Sequence, residues 1–173
     1  MTRSLTFLAA GLVLAPSALP AQATHLSQPA TVTQRLGKTL VTIVYNRPSA
    51  RGRKLFGGVV AWGRVWCPGA DSATTIAFSA NVRVAGQPLA AGKYSVWAIP
   101  TAEEWTVIFS KAADVFHVPY PGAAQDALRI TVKPKAGPFF ETLAFYFPSV
   151  ESDQAVLALH WGETIVPIHI ALP

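Results

Sequence analysis

Short runs of alternating hydrophobic and polar residues fill the chain from about residue 39 onward, and glycine, proline and asparagine separate them. Alternation with a period of two predicts β-strands with one buried face. The predicted strands are 39–45, 74–78, 82–84, 94–99, 105–110, 128–132, 140–147, 155–161 and 165–170, with a short arm between 85–86 and 91–92. No long amphipathic helix is predicted. About ten strands indicate an all-β fold, an antiparallel β-sandwich or a jelly-roll-like arrangement.

Two segments fit neither a strand nor a helix. Proline and glycine interrupt residues 46–58, and aromatic and polar residues lie among prolines in residues 111–127. A short helical turn is expected at 123–127, and Gly162–Glu163 is expected to form the last tight turn. Long connections in a compact domain are often functional, so a site is expected on these two segments.

The first 23 residues have a different pattern. Arg3 supplies a positive start, residues 5–14 form an apolar run, and small residues at 21 and 23 suit a cleavage site. This pattern predicts a secretory signal peptide that is cleaved near Ala23, with export to the periplasm or beyond. The run is shorter than the roughly 20 apolar residues of a transmembrane helix. Residues 24–173 are expected to form a single domain.

Charge and cysteine content limit the functions that this protein is expected to have. The formal net charge is +5, and much of the excess lies between Arg47 and Arg64. Nucleic acid is not an expected partner for an exported protein with one basic segment. The only cysteine, Cys67, excludes an internal disulfide and a lipid-anchoring cysteine at the cleavage site. It is expected to be a small buried hydrophobic residue, or alternatively a thiolate activated by Arg53 or Arg64.

The segment 45–75 is the strongest candidate for a site, because it combines basic, aromatic and acidic residues. Cationic side chains beside tryptophan suit a small polar or anionic ligand, or a glycan. The candidate ligand-binding residues are Arg47, Arg53, Arg64, Trp66 and Asp71. Asp71 is interpreted as a turn cap or salt-bridge partner, with a general base or an acceptor for a ligand hydroxyl as the alternative.

Five motifs in the chain resemble one family in the same order. They are YNRPSARGRKLFGG at 45–58, WGRVWCPGADSATT at 62–75, LAAGKYSVWAIP at 89–100, EWTVIFSK at 104–111 and DALRITVKP at 126–134. The chain resembles the exported bacterial proteins grouped as domain of unknown function 2911. The resemblance implies an exported β-rich domain and no reaction. Cys67, Asp71 and Ser72 depart from the family pattern, which has an arginine and an Asn-Glu pair there.

The sequence gives little support for a catalytic or metal-binding site. The histidines are His25, His117, His160 and His169, and the last two are expected on one hairpin face, roughly 13 Å apart at the usual strand rise. No shared metal site, and no other cofactor, is therefore expected. A serine triad lacks a nucleophile elbow. The predicted strand 94–99 places Trp97 on the face opposite Tyr94, with burial favoured over an exposed sugar-stacking position.

Three hypotheses follow from these observations. The first is a noncatalytic β-sandwich that binds a ligand, a glycan or an envelope partner through residues 47–71, with Trp62 or Trp66 as platform. The second is a hydrolase of a polar or anionic envelope substrate, with Asp71 in a deep pocket near an arginine and His117. The third is a structural domain in which buried arginines hold the loops together. The hypotheses differ in where they place Arg47 and Arg53.

Overall fold

The computed structural model describes residues 26–173. The predicted signal peptide and His25 lie outside the described residues. No helix in the described part is long and apolar enough to cross a membrane.

Within residues 26–173, ten antiparallel strands form two sheets, which confirms the all-β class that the alternation predicts. The strands are β1 (Gln28–Leu36), β2 (Thr39–Arg47), β3 (Thr75–Phe78), β4 (Val82–Val84), β5 (Gln87–Leu89), β6 (Gly92–Pro100), β7 (Trp105–Ser110), β8 (Asp126–Val132), β9 (Lys135–Val150) and β10 (Gln154–Ala171). The first sheet has the order β1-β2-β3-β6-β7-β8, and the second has the order β5-β4-β10-β9. The predicted helical turn is a 3₁₀ turn at Ala123–Gln125. The fold is therefore a β-sandwich.

The tenth strand element folds back on itself, which confirms the predicted turn at Gly162–Glu163. Leu172, just after β10, donates its backbone N–H to the carbonyl oxygen of Asp153, just before β10, at 2.8 Å. Gly162 lies midway and has a φ of 57°, and the two-residue hairpin turns of types I′ and II′ both require a positive φ at the first central position. The tip of this hairpin projects at one end of the sandwich.

Both faces of the first sheet are covered in the middle. Tyr94, Val96 and Ala98 of β6 lie in the main core between the sheets. Trp97 is on the opposite face in a smaller cluster with Cys67, where it is 1% exposed and its indole N–H donates to Ser95 Oγ at 2.8 Å. The alternative of an exposed Trp97 that stacks on a sugar is therefore wrong. The burial expected for Cys67 is confirmed.

The first irregular segment starts where β2 leaves its own sheet. Residues 48–50 cross to the second sheet and pair with the free edge of β9, through a bridge between Ser49 and Thr142 and a bond from Ala50 N–H to the Glu141 carbonyl (2.7 Å). This crossing covers part of an edge strand that is 16 residues long. It also delivers residues 51–66 to the same end of the sandwich as the hairpin tip.

Candidate functional site

Five aromatic side chains meet at this end of the sandwich, and we call them the aromatic cluster. Phe56 is at its centre, with ring centroids 4.9 Å from Trp105, 5.9 Å from Trp62, 6.1 Å from Trp66 and 6.4 Å from Trp161. Most of these pairs are edge-to-face, a geometry that aromatic quadrupoles favour. Trp105 and Trp161 are buried, whereas Trp62 is 46% exposed. The cluster thus has a buried aromatic base, formed by Trp105 and Trp161, and an exposed aromatic surface, formed by Trp62.

A tight loop holds Trp62 on the base. Gly57 N–H donates to the Val60 carbonyl and Val60 N–H to the Leu55 carbonyl, both at 2.8 Å. Gly57 has a φ of 76°, and a Cβ on it would lie 2.5 Å from Trp62 Nε1. Only glycine allows the indole to lie this close to the backbone. The position of Trp62 is therefore set by the loop before it.

Two adjoining clefts open on either side of Trp62, and together we call them the Trp62 groove. The first has a volume of about 450 Å³, and the second about 330 Å³. Trp62, Glu163 and Thr164 line both clefts. Phe139, which is 58% exposed, lines the first. Both volumes are in the range of small-molecule sites, and the lining is mixed apolar and polar, as such sites require.

Charged side chains are spaced along the groove. Arg53 lines only the first cleft, Lys135 only the second, and Glu163 lies between them. The Arg53 guanidinium is fixed at one edge, because its Nε donates to the Ala50 carbonyl at 2.9 Å and one Nη to the Ser49 carbonyl at 2.7 Å. A guanidinium has five N–H groups, so the remaining donors can serve a ligand. The groove therefore combines an exposed aromatic surface with charged groups, of which the Arg53 guanidinium is held in place by hydrogen bonds.

The predicted site residues do not all meet at this groove. Arg53 lines it, and Trp66 lies beneath it, where it stacks on Trp161 with centroids 6.0 Å apart. Arg47 is half-buried and donates from Nε to the Leu143 carbonyl at 3.2 Å, which fixes β2 to β9. Arg64 is exposed and lines neither cleft. Of the two tryptophans expected as a platform, Trp62 lines both clefts and Trp66 lines neither.

Asp71 lies elsewhere, on the outer face of the first sheet. Its backbone carbonyl accepts from the His117 N–H at 3.0 Å and lies 2.6 Å from His117 Nδ1. Asp71 and His117 are therefore neighbours, as the hydrolase hypothesis expects, and the backbone carbonyl of Asp71 contacts both the backbone N–H and the ring of His117. Neither residue lines the Trp62 groove. No group of three His, Cys, Asp or Glu side chains within residues 26–173 is placed to hold a metal ion.

Cys67 has no sign of an activated thiolate. Burial raises its pKa from 9.0 to about 12, and the Thr74 N–H, 3.4 Å from Sγ, opposes this only weakly. The reactive-thiolate alternative requires a lowered pKa, so it is not supported. Cys67 instead packs in the small outer cluster with Trp97.

This burial predicts a pH dependence of stability. The unfolded chain loses the Cys67 proton near pH 9 and the folded chain only near pH 12, so the unfolded state binds fewer protons between these values. The free energy of unfolding should therefore fall with rising pH by about 1.4 kcal/mol per unit in that window. Urea unfolding at pH 8.5, 9.5 and 10.5 should show this slope to be steeper in the wild type than in Cys67→Ala. Equal slopes would contradict the burial argument.

Several groove residues were not candidates from the sequence. Phe139, Lys135, Glu163 and Thr164 lie far from the basic segment along the chain. The predicted turn at Gly162–Glu163 was a signal for the last two, because a hairpin tip must project from a sheet. Nothing in the sequence pattern places Phe139 beside Trp62.

Comparisons with known proteins give a family and no activity. The model of a family described as "Protein of unknown function (DUF2911)" matches residues 27–170. No curated protein and no solved structure matches the chain.

Proposed function

The chain belongs to this family of unknown function, and we propose a function for it from the groove. We propose that the domain is a noncatalytic glycan-binding module and that the Trp62 groove binds the sugar. The observation that carries the proposal is the half-exposed Trp62, which forms a wall of two adjoining clefts and rests on a buried aromatic base. The apolar face of a pyranose ring stacks well on an indole, and its hydroxyls need polar partners at the edges.

The polar groups of the groove match those needs. Glu163 and Thr164 lie at the hairpin tip and line both clefts. Arg53 lies at one edge, where two hydrogen bonds to backbone carbonyls hold its guanidinium. Few side chains need to rearrange when a ligand enters, because the loop of Gly57 and the two Arg53 bonds already hold the walls. Preorganisation of this kind lowers the entropic cost of binding.

The carboxylates of the groove favour binding over hydrolysis. Glycoside hydrolysis uses a pair of carboxyl groups on opposite sides of the scissile bond. Among the side chains that line the two clefts, Glu163 is the one carboxylate. The hydrolase hypothesis placed Asp71 at the reaction centre, but Asp71 lies on the outer face of the first sheet beside His117.

A purely structural role is a second candidate, and the arginine contacts favour it. Arg47 and Arg53 both donate to backbone carbonyls of the crossing segment or of β9. The structural hypothesis also requires these arginines to be buried with no cavity beside them. Arg53 is exposed and borders the larger cleft, so its two backbone bonds are better understood as support for the groove.

Isothermal titration calorimetry with neutral and acidic tetrasaccharides tests the glycan proposal. We expect Trp62→Ala to weaken binding about tenfold or more, equivalent to about 1.4 kcal/mol, because the stacking surface is removed. Phe116→Ala is a matched control, since Phe116 is 55% exposed but lines a different cavity. The proposal is wrong if no sugar binds, or if both variants weaken binding equally.

We also propose that the domain acts outside the cytosol. The support is the N-terminal pattern of Arg3, the apolar run 5–14 and the small residues Ala21 and Ala23. Extracellular and envelope glycans are then the accessible ligands.

A further inference from the structure

We propose that the Trp62 groove selects an acidic oligosaccharide that spans both clefts, with carboxylate groups over Arg53 and Lys135 and hydroxyls over Glu163. This inference rests on the proposed glycan-binding function and names the class of glycan. It follows from how the two clefts are joined and from the order of charges along them.

The groove is longer than a single sugar site. The two clefts share Trp62, Glu163 and Thr164, and each has its own outer residues: Arg53 and Phe139 in one, Lys135 and Thr101 with Ala102 in the other. A ligand on Trp62 alone would leave both outer parts empty. Simultaneous occupation needs a chain of at least two linked rings, and exposed Phe139 offers a second apolar surface in the larger cleft.

The charges along the groove follow the order positive, negative, positive. Arg53 borders only the first cleft and Lys135 only the second, whereas Glu163 borders both. The Arg53 guanidinium is held in a fixed orientation by the Ala50 and Ser49 carbonyls, and a fixed guanidinium suits a planar carboxylate better than a single hydroxyl. Carboxylates are therefore favoured at the two ends of the ligand.

The Glu163 carboxylate determines which ligand groups are favoured in the middle of the groove, where the two clefts meet. A ligand carboxylate next to it would place two like charges close together, which is unfavourable. A hydroxyl or an N-acetyl N–H can instead donate to the Glu163 carboxylate. The favoured ligand thus alternates acidic and neutral sugars rather than carrying a carboxylate on every ring.

The test compares tetrasaccharides of equal length by calorimetry at low salt. Hyaluronan tetrasaccharide alternates uronic acid with N-acetylhexosamine, and chitotetraose is its neutral counterpart. We expect the wild type to bind the acidic tetrasaccharide about tenfold more tightly than the neutral one, and more tightly than the hyaluronan disaccharide. We expect this preference to shrink in 0.5 M salt, where exposed charges are screened to about 4–5 Å.

Three charge-removing variants assign the effect to the groove. Lys135→Gln and Arg53→Gln should each weaken binding of the acidic tetrasaccharide several-fold more than binding of chitotetraose, so that the preference for the acidic sugar shrinks. Arg64→Gln makes the same change in net charge outside the groove and should leave the preference intact. Arg53→Lys, which keeps the charge, covers the case in which Arg53→Gln disturbs the loop, and it should retain part of the preference.

The outcomes separate the two proposals. Binding of both tetrasaccharides with equal affinity and with dependence on Trp62 would overturn the acidic class and keep the glycan-binding function. An equal loss of preference in Arg64→Gln would also overturn the acidic class, because net charge alone would then explain it. No Trp62-dependent binding of either sugar would overturn both.

Discussion

Replacing Trp105 with alanine is expected to lower the free energy of unfolding by about 3–5 kcal/mol, the usual cost of removing a buried tryptophan. Trp105 is 1% exposed and its ring centroid lies 4.9 Å from that of Phe56 and 6.2 Å from that of Trp66. Its loss leaves a cavity directly under the groove, and the sheet strands around it cannot close the space. Urea unfolding followed by circular dichroism measures the change.

Trp62→Ala is the matched control for Trp105→Ala. Both remove an indole that contacts Phe56, but Trp62 is 46% exposed and leaves no closed cavity. Its cost should be about 1 kcal/mol or less, because surface substitutions away from tight packing are mild. Equal destabilisation by the two substitutions would mean that the aromatic cluster is not divided into a supporting base and an exposed face.

Gly57→Ala is expected to lower the free energy of unfolding by about 2–5 kcal/mol and also to weaken sugar binding. The backbone at Gly57 has positive φ, which costs an alanine about 1–2 kcal/mol. Its new Cβ would also lie 2.5 Å from Trp62 Nε1, which adds an overpacking term of about 1–3 kcal/mol. The indole can avoid the contact only by leaving its position in the groove. Unfolding and calorimetric titration of the same variant measure both effects.

Gly52→Ala isolates the effect of the contact with Trp62. Gly52 has a similar φ of 68°, but a Cβ there meets nothing within 4 Å. Its substitution should therefore carry only the backbone cost and leave binding unchanged. If Gly57→Ala bound sugar as well as Gly52→Ala, the loop would not position Trp62.

The sequence predicts most of the fold because the strands of the first sheet alternate clearly. β6 is an example, since Tyr94 and Val96 face the main core and Trp97 faces the outer cluster. β1 was not predicted, because its side chains are mostly polar or half-exposed and its pairing comes from β2. β9 was predicted only over 140–147, because Gly137 and Pro138 resemble a chain break, whereas the strand continues from Lys135 through irregular register with β10.

The candidate site was predicted in part, and the reason lies in long-range contacts. Arg53 and Trp62 were identified because charge and aromatic residues are concentrated along residues 45–75. Asp71 belongs to the same stretch but lies away from the groove. Trp66 pairs with Ala98 of β6, and from there the backbone runs beside β6 and away from the groove until it reaches Asp71. Phe139 and Glu163 come from β9 and the hairpin tip, and only the pairing of distant strands brings them beside Trp62.

The most direct test of the central claim is to follow the five indole N–H resonances by NMR while chitotetraose or hyaluronan tetrasaccharide is added. The protein has five tryptophans, and Trp97 is an internal control because it is buried on the outer face and bonded to Ser95. We expect the Trp62 resonance to shift most and the Trp97 resonance to stay in place. A saturating shift at Trp97 with Trp62 unchanged, or no shift with either sugar, would contradict it.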